Sequence, residues 1–177
     1  MQLPPRLTDG AVVLRQLEEG DRADVLGTMR DPLVRRWLNM PTRPADSDFD
    51  RLRRIVADGR LRGDRYDYVV ATAADDVAVG AVVASRRHRD NFELAYFAGE
   101  AGRGRGLMSQ AVRVLCEALF AHGVGRLEVR THPANAASQR VARGVGFVRE
   151  GVERRSIWLH GRREDAIVWS LLPDDPR

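Results

Sequence analysis

The chain has 177 residues, with 29 Lys+Arg against 25 Asp+Glu, a formal charge of +4, 44% hydrophobic residues and one cysteine, Cys116. That length predicts one domain over 1–177, with a core large enough to close without disulfides or metals. A single cysteine excludes a disulfide framework or a cysteine metal cluster within one chain, no run approaches the roughly 20 apolar residues of a membrane span, and the start Met1-Gln2-Leu3-Pro4-Pro5-Arg6 lacks the apolar core of a signal peptide. The cytoplasm is the expected compartment, without contact with a membrane. The basic residues are interleaved with acids rather than gathered in a tail or one helix, which argues against nucleic acid as a partner.

Residues 7–17 contain the alternating stretch Ala11-Val12-Val13-Leu14 and predict a strand. Asp21 is placed to cap a helix to about residue 30 that turns Val25, Leu26 and Met29 to one face. Asp31-Pro32 breaks it, and a second helix carries Val34, Trp37 and Leu38 until Pro41 and Pro44. Asp46 or Ser47 caps a third, with Phe49, Leu52, Ile55 and Val56 inward. Residues 66–72 and 77–85 predict a hairpin, and 92–97 a further strand. A glycine-rich turn over 99–106 opens a helix over 107–122 that Gly123 and Gly125 stop. A strand over 127–131 and a helix over 135–145 follow. Residues 147–150, 157–159 and 166–172 are the last strands, with a turn at His160-Gly161. The order predicts a mixed α/β sheet flanked by helices.

The turn Arg103-Gly104-Arg105-Gly106-Leu107-Met108-Ser109 carries the most chemistry. Glycines let the backbone bend tightly and a ligand approach its amides. The first N–H groups of the following helix lack internal partners and point outward at its positive end, which suits a pyrophosphate. A dinucleotide fingerprint would need a third glycine, and a P-loop would need a lysine; neither is present. A plain glycine turn with exposed arginines is the other reading.

Three stretches in order and spacing narrow this choice. Phe92-Glu93-Leu94-Ala95-Tyr96-Phe97 with Arg103-x-x-Gly106-Leu107-Met108 resembles the central motif of the GNAT superfamily of acyl-CoA transferases. Asn135-x-x-Ser138 with Val141-Ala142-Arg143-x-x-Gly146-Phe147 is similar to its next motif. His160-Gly161-Arg162-x-x-Asp165 before Ala166-Ile167-Val168-Trp169 resembles the closing hairpin of the RimJ/RimL-like branch, which acetylates the N-termini of ribosomal proteins. The resemblance covers most of the chain and implies a GNAT-type, mostly antiparallel central sheet flanked by helices. Met108 stands where glycine or alanine is usual, Ala95 replaces a glycine, and Ser156-Ile157 stand where some members carry a glutamate.

What the resemblance implies about activity is transfer of an acetyl group from acetyl-CoA to a primary amine, with a protein N-terminus as the natural acceptor. Alternatives are a small-molecule amine (polyamine, amino sugar or antibiotic), a larger acyl group, or non-catalytic acyl-CoA binding. Coenzyme A is implied to lie against Phe97, Ala98, Arg103, Gly104, Arg105, Gly106, Leu107, Met108, Ser109, Asn135 and Arg143. Ser138 is the implied proton donor to the departing sulfur; Tyr96 could instead supply a hydroxyl, with strand packing the favoured reading for it. Glu93 is the implied base, with water or a structural ion pair as the other readings. Asn135 also suits a helix cap. Trp37, Met40, Trp158 and His160 are candidates for the acceptor site, with buried packing the favoured reading for both tryptophans. His88, His122, His132 and His160 have no mutual ligand spacing, so no metal is expected. A homodimer is left open.

Overall fold

The structure, a computed structural model, describes residues 1–176. Eight strands form one sheet: β1 (Arg6–Thr8), β2 (Val12–Arg15), β3 (Arg65–Thr72), β4 (Ala78–His88), β5 (Asn91–Ala98), β6 (Arg126–Thr131), β7 (Val148–Leu159) and β8 (Arg162–Leu171). Their spatial order is β1-β2-β3-β4-β5-β6-β8-β7, and every adjacent pair is antiparallel except β5 and β6. Among the described residues there are also two short 3-10 helices, at Glu19–Asp21 and Glu100–Gly102, and five α-helices: α1 (Arg22–Arg30), α2 (Pro32–Trp37), α3 (Asp46–Arg62), α4 (Leu107–Ala121) and α5 (Ala136–Val145).

Helix α4 is built by its spacing. Leu107, Met108, Ala111, Val112, Leu115 and Leu119 recur three or four residues apart, and all are buried. They meet Leu14, Tyr66, Tyr68, Val70, Val82, Phe92 and Leu94 in the main core. Strand side chains alternate between faces, so Val13, Val69 and Ala71 lie on the opposite face. There α3 covers the sheet with Phe49 and Val56, and with Gly59 set directly over Arg65. Both faces of β2 and β3 are therefore buried. Full burial of one Leu such as Leu115 stabilises the fold by about 1.5–3 kcal/mol.

Several expectations are corrected. Residues 7–17 make two strands rather than one, because Gly10, at φ +92°, turns the chain back and pairs β1 with β2. Asp21 precedes α1, but its carboxylate does not cap that helix. It forks onto the buried Arg15 guanidinium, with both N···O distances 2.8 Å, and accepts the N–H of Glu18 at 2.8 Å. Ile55 is 44% exposed rather than inward, since the buried line of α3 runs through Phe49, Val56 and Gly59. The last strand region is one long strand, β7, paired with β8 and interrupted by a bulge over 154–156, where Arg155 adopts φ +52°.

Candidate active site

The site begins where β5 and β6 part. Their parallel pairing runs from Asn91 opposite Arg126 to Leu94 opposite Val129 and stops there, although β5 continues to Ala98 and β6 to Thr131. The wedge between them opens into a cavity of about 720 Å³. On its other edge β5 stays bound to β4, and Gly99 donates its N–H to the Val79 carbonyl at 3.0 Å. Backbone groups alternate between strand edges. Phe97 therefore shares the edge of Gly99, and the N–H groups of Tyr96 and Ala98 face the wedge.

One end of the cavity is a backbone cradle. Gly104 and Gly106 adopt φ +71° and +75°, the left-handed region that glycine enters without strain, and a Cβ at either would meet nothing within 4 Å. Gly106 is the N-cap of α4, and the first intrahelical bond there is donated by Gln110 to the Gly106 carbonyl at 3.2 Å. Leu107, Met108 and Ser109 thus have no intrahelical acceptor for their N–H groups, at the positive end of a 15-residue helix. Open space over the glycines and unclaimed amide donors fit a pyrophosphate. Gly80 sets the distance from sheet to helix, because a Cβ there would lie 2.9 Å from Met108 Cε and closer still to the Phe97 carbonyl.

Phe97, Ala98, Arg103, Gly104, Gly106, Met108, Ser109, Asn135 and Ser138 all line this cavity. The other three residues implied to bind the cofactor, Arg105, Leu107 and Arg143, do not. Leu107 is buried in the core. Arg105 is exposed and bonds the Ala101 carbonyl. Arg143 sits over the Trp169 ring, 5.7 Å from its centroid, while Arg140 from the same helix lines the cavity instead. Arg103 is held by Asp31 at 2.5 Å, so its charge is partly spent on tying the turn to the start of α2. Asp31 also caps α2 through the N–H groups of Leu33 and Val34. Burial works to raise its pKa, but those donors and Arg103 outweigh it and hold the group below its ordinary value.

Two hydroxyls meet on the α4 side of the sheet. Tyr96 donates to the Ser138 carbonyl at 2.9 Å, and Ser138 Oγ lies 3.3 Å from Tyr96 Oη. Asn135 fixes this corner by accepting the Ser138 N–H at 3.1 Å as the cap of α5. Burial pushes the Tyr96 phenol up to about 12, so it is neutral and protonated near pH 7.

Glu93 projects from the other face and is the one carboxylate among the cavity-lining residues. It pairs with Arg87 at 3.2 Å and Arg130 at 3.4 Å. Arg130 in turn holds Glu128 and Glu153, and Arg126 holds Glu128 and Glu150, in a ladder across β5, β6 and β7. Burial works to raise the Glu128 pKa, but hydrogen bonds from Arg126, Asn91 and Arg130 lower it to about 2.

The far wall comes from α2 and the β7–β8 hairpin. Asn39 clamps them together, donating to the Trp158 carbonyl at 2.7 Å and accepting the His160 N–H at 2.9 Å. Trp37 and Trp158 line the cavity, and Trp158 is 57% exposed, so it is not buried packing. His160 borders an adjoining pocket of about 300 Å³, and Met40 borders neither. Sequence reasoning missed His132, which walls both cavities beside Trp37, with ring centroids 5.1 Å apart. Its Nδ1 accepts the Ala134 N–H at 3.0 Å, which leaves the proton on Nε2, 3.9 Å from Glu164. The local signal was the turn sequence His132-Pro133-Ala134-Asn135; its partners come from α2 and β8.

Residues 11–148 match the family model described as Acetyltransferase (GNAT) domain. The chain is 33% identical over 119 residues to the protein named probable N-acetyltransferase YjcK of Bacillus subtilis (strain 168), covering 64% of this chain and 66% of that one. It is 27% identical over 165 residues to uncharacterized N-acetyltransferase p20 of Bacillus licheniformis, covering 91% and 92%. The fold superposes on Mycobacterium smegmatis RimJ, solved with CoA-disulfide, with TM-score 0.84 and 19% identity over 97% of this chain and 87% of that one. The wedge, the glycine cradle and a family match over most of its length agree: the chain belongs to the GNAT acetyltransferase family.

Proposed function

We propose that the protein transfers the acetyl group of acetyl-CoA to the amine at a protein N-terminus, in the cytoplasm, with each copy holding a complete site whether it acts alone or as a homodimer. The observation that carries the reading is the wedge between β5 and β6. It joins an anion cradle and two hydroxyls on the α4 side to the lone cavity carboxylate, Glu93, on the other.

Gly104, Gly106 and the first amides of α4 would hold the pyrophosphate, and Arg140 of α5 would supply a cation to it. Asn135 and Ser138 border the path of the pantetheine arm. The Ala98 N–H, turned into the wedge, donates to the acetyl oxygen and stabilises the charge that develops on it. Glu93 takes the ammonium proton of the acceptor through water, leaving the amine lone pair to form the new N–C bond as the C–S bond breaks, and the second proton that nitrogen loses as the amide forms leaves through the same water to solvent. Ser138 Oγ gives its proton to the departing sulfur and regains one from Tyr96, whose hydroxyl then recovers its proton from solvent. An adjacent donor for Ser138 and a base on the opposite face keep the two proton transfers separate.

Two measurements test this. Coenzyme A should raise the melting temperature, since binding to the native state alone contributes about 2.7 kcal/mol at a hundredfold excess over Kd; no shift would remove the cofactor. Mass spectrometry of a lysate treated with the enzyme and isotopically labelled acetyl-CoA should find label on protein N-termini. Label confined to small amines would overturn the acceptor.

A further inference from the structure

The acceptor side of the cavity carries charge in an uneven way. Arg130 and Arg162 are neutralised there, the first by Glu93, Glu128 and Glu153 and the second by Glu164 at 2.5 Å. Arg36 and Arg163 are exposed, and neither has a carboxylate within ion-pair distance among the described residues. Arg36 borders the adjoining pocket and Arg163 lines neither cavity, but each is set over a tryptophan that lines the larger one. The Arg36 guanidinium lies 4.9 Å from the centroid of Trp37, and that of Arg163 lies 5.5 Å from the centroid of Trp158.

The two pairs come from opposite walls. Trp37 ends α2, whereas Trp158 and Arg163 are directly paired across β7 and β8. Asn39 bonds the backbone on either side of Leu159 and so holds the two walls at a fixed separation. A guanidinium stacked on an indole keeps its N–H fork free and loses little freedom when it binds, which suits bidentate capture of a carboxylate. The nearby acids do not cancel this charge. Glu164 is taken by Arg162, with His132 Nε2 3.9 Å away, and Asp165 is turned to the N–H of Arg155 in the β7 bulge, at 2.8 Å.

We propose that the acceptor is acidic beside its amine: an N-terminal peptide segment with Asp or Glu immediately after the first residue, its carboxylates held by Arg36 and Arg163. This rests on the N-terminal acetyltransferase reading above and adds to it a substrate class. The tryptophans serve as platforms that aim the two cations, and the reacting groups on β5 and α5 are unchanged.

The test compares hexapeptides beginning Ala-Glu-Glu, Ala-Gln-Gln and Ala-Lys-Lys. The acidic peptide should have a KM lower than the glutamine peptide by about tenfold or more with similar kcat, a ratio equivalent to about 1.4 kcal/mol. Raising the salt concentration should shrink that ratio. In the double variant Arg36→Gln/Arg163→Gln the ratio should fall towards one, and lysine at both positions should restore part of it. Equal KM values, or preference for the lysine peptide, would overturn the proposal. A second arm measures anisotropy of the labelled, already acetylated peptides on CoA-loaded enzyme, and the CoA-induced thermal shift confirms that each variant is folded. If no peptide is acetylated while CoA still stabilises the fold, the N-terminal reading fails. The charge preference is then decided by binding: tighter binding of the acidic peptide upholds it, and equal binding overturns it.

Discussion

The two ends of the cavity are made of different materials. The cofactor end is backbone: two glycines at positive φ, the unclaimed amides that start α4, and strand N–H groups exposed where β5 leaves β6. The acceptor end is side chains from distant parts of the chain, with Trp37, His132, Trp158 and Glu164 on four separate elements or loops. Backbone recognition needs a particular local conformation, so it leaves a short sequence signature and tolerates few changes. Side-chain recognition needs only that the fold bring groups together, so it leaves no signature and can be rebuilt. Substitutions at the first end should therefore abolish a step, and those at the second should tune an affinity.

The largest effects belong to the cofactor end. Ser138→Ala should lower kcat by about a hundredfold while leaving CoA affinity within a few-fold, since loss of one acid–base group typically costs about 10²–10⁴ in rate. Tyr96→Phe should cost less, because Ser138 keeps its own proton for the sulfur; rapid-quench measurement of acetyl transfer separates the two. Gly106→Asp should weaken CoA binding by about a hundredfold, or about 2.7 kcal/mol, by calorimetry. Nothing crowds a side chain at that position, so Gly106→Ala isolates the cost of φ +75°, about 1–2 kcal/mol of stability, from the repulsion of a carboxylate facing phosphate.

An intermediate effect tests the face between the two ends. Glu93→Gln should lower turnover by about tenfold at neutral pH, and the loss should be recovered at high pH, where the acceptor α-amine, which ordinarily titrates at about 7.7–8.0, arrives neutral. A wild-type pH profile with unchanged turnover would make Glu93 a partner of Arg87 and Arg130 only.

Acid stability should follow the ladder behind Glu93. The Glu128 carboxyl, lowered from 4.5 to about 2 in the fold, contributes stability that is fully present above its unfolded value and is lost as pH falls from about 4.5 towards 2. The whole contribution is on the order of 2 kcal/mol at most, and Glu128→Gln should flatten the melting temperature over that window. The smallest change is expected from Asn39→Ala. Loss of two exposed hydrogen bonds should cost about 1 kcal/mol of stability and raise the acceptor KM a few-fold, with the KM for acetyl-CoA unmoved.

Much of the fold and one end of the site were decided by local sequence. The apolar spacing of α4, the cap at Asn135, the break at Asp31-Pro32 and the glycines of the turn each act within a few residues, and each produces the element it predicts. Some misreadings are local, as at Gly10 and Ile55, and others come from partners that the local pattern does not show. Asp21 looked like a cap because its neighbours are helical, but Arg15 and a buried setting offer it a better partner. Trp158 looked like core, but it sits in a hairpin held over the cavity by Asn39, 119 residues away. The meeting of Tyr96 with Ser138, 42 residues apart, and the pairing of His132 with Trp37 depend on where the sheet splays and which helix covers it. Backbone conformation and helix caps are set by contacts close in the chain, so the sequence alone determined the glycine cradle at the start of α4. Which side chains face one another across a cavity depends on the packing of the whole sheet, so the acceptor wall was decided only in the tertiary structure.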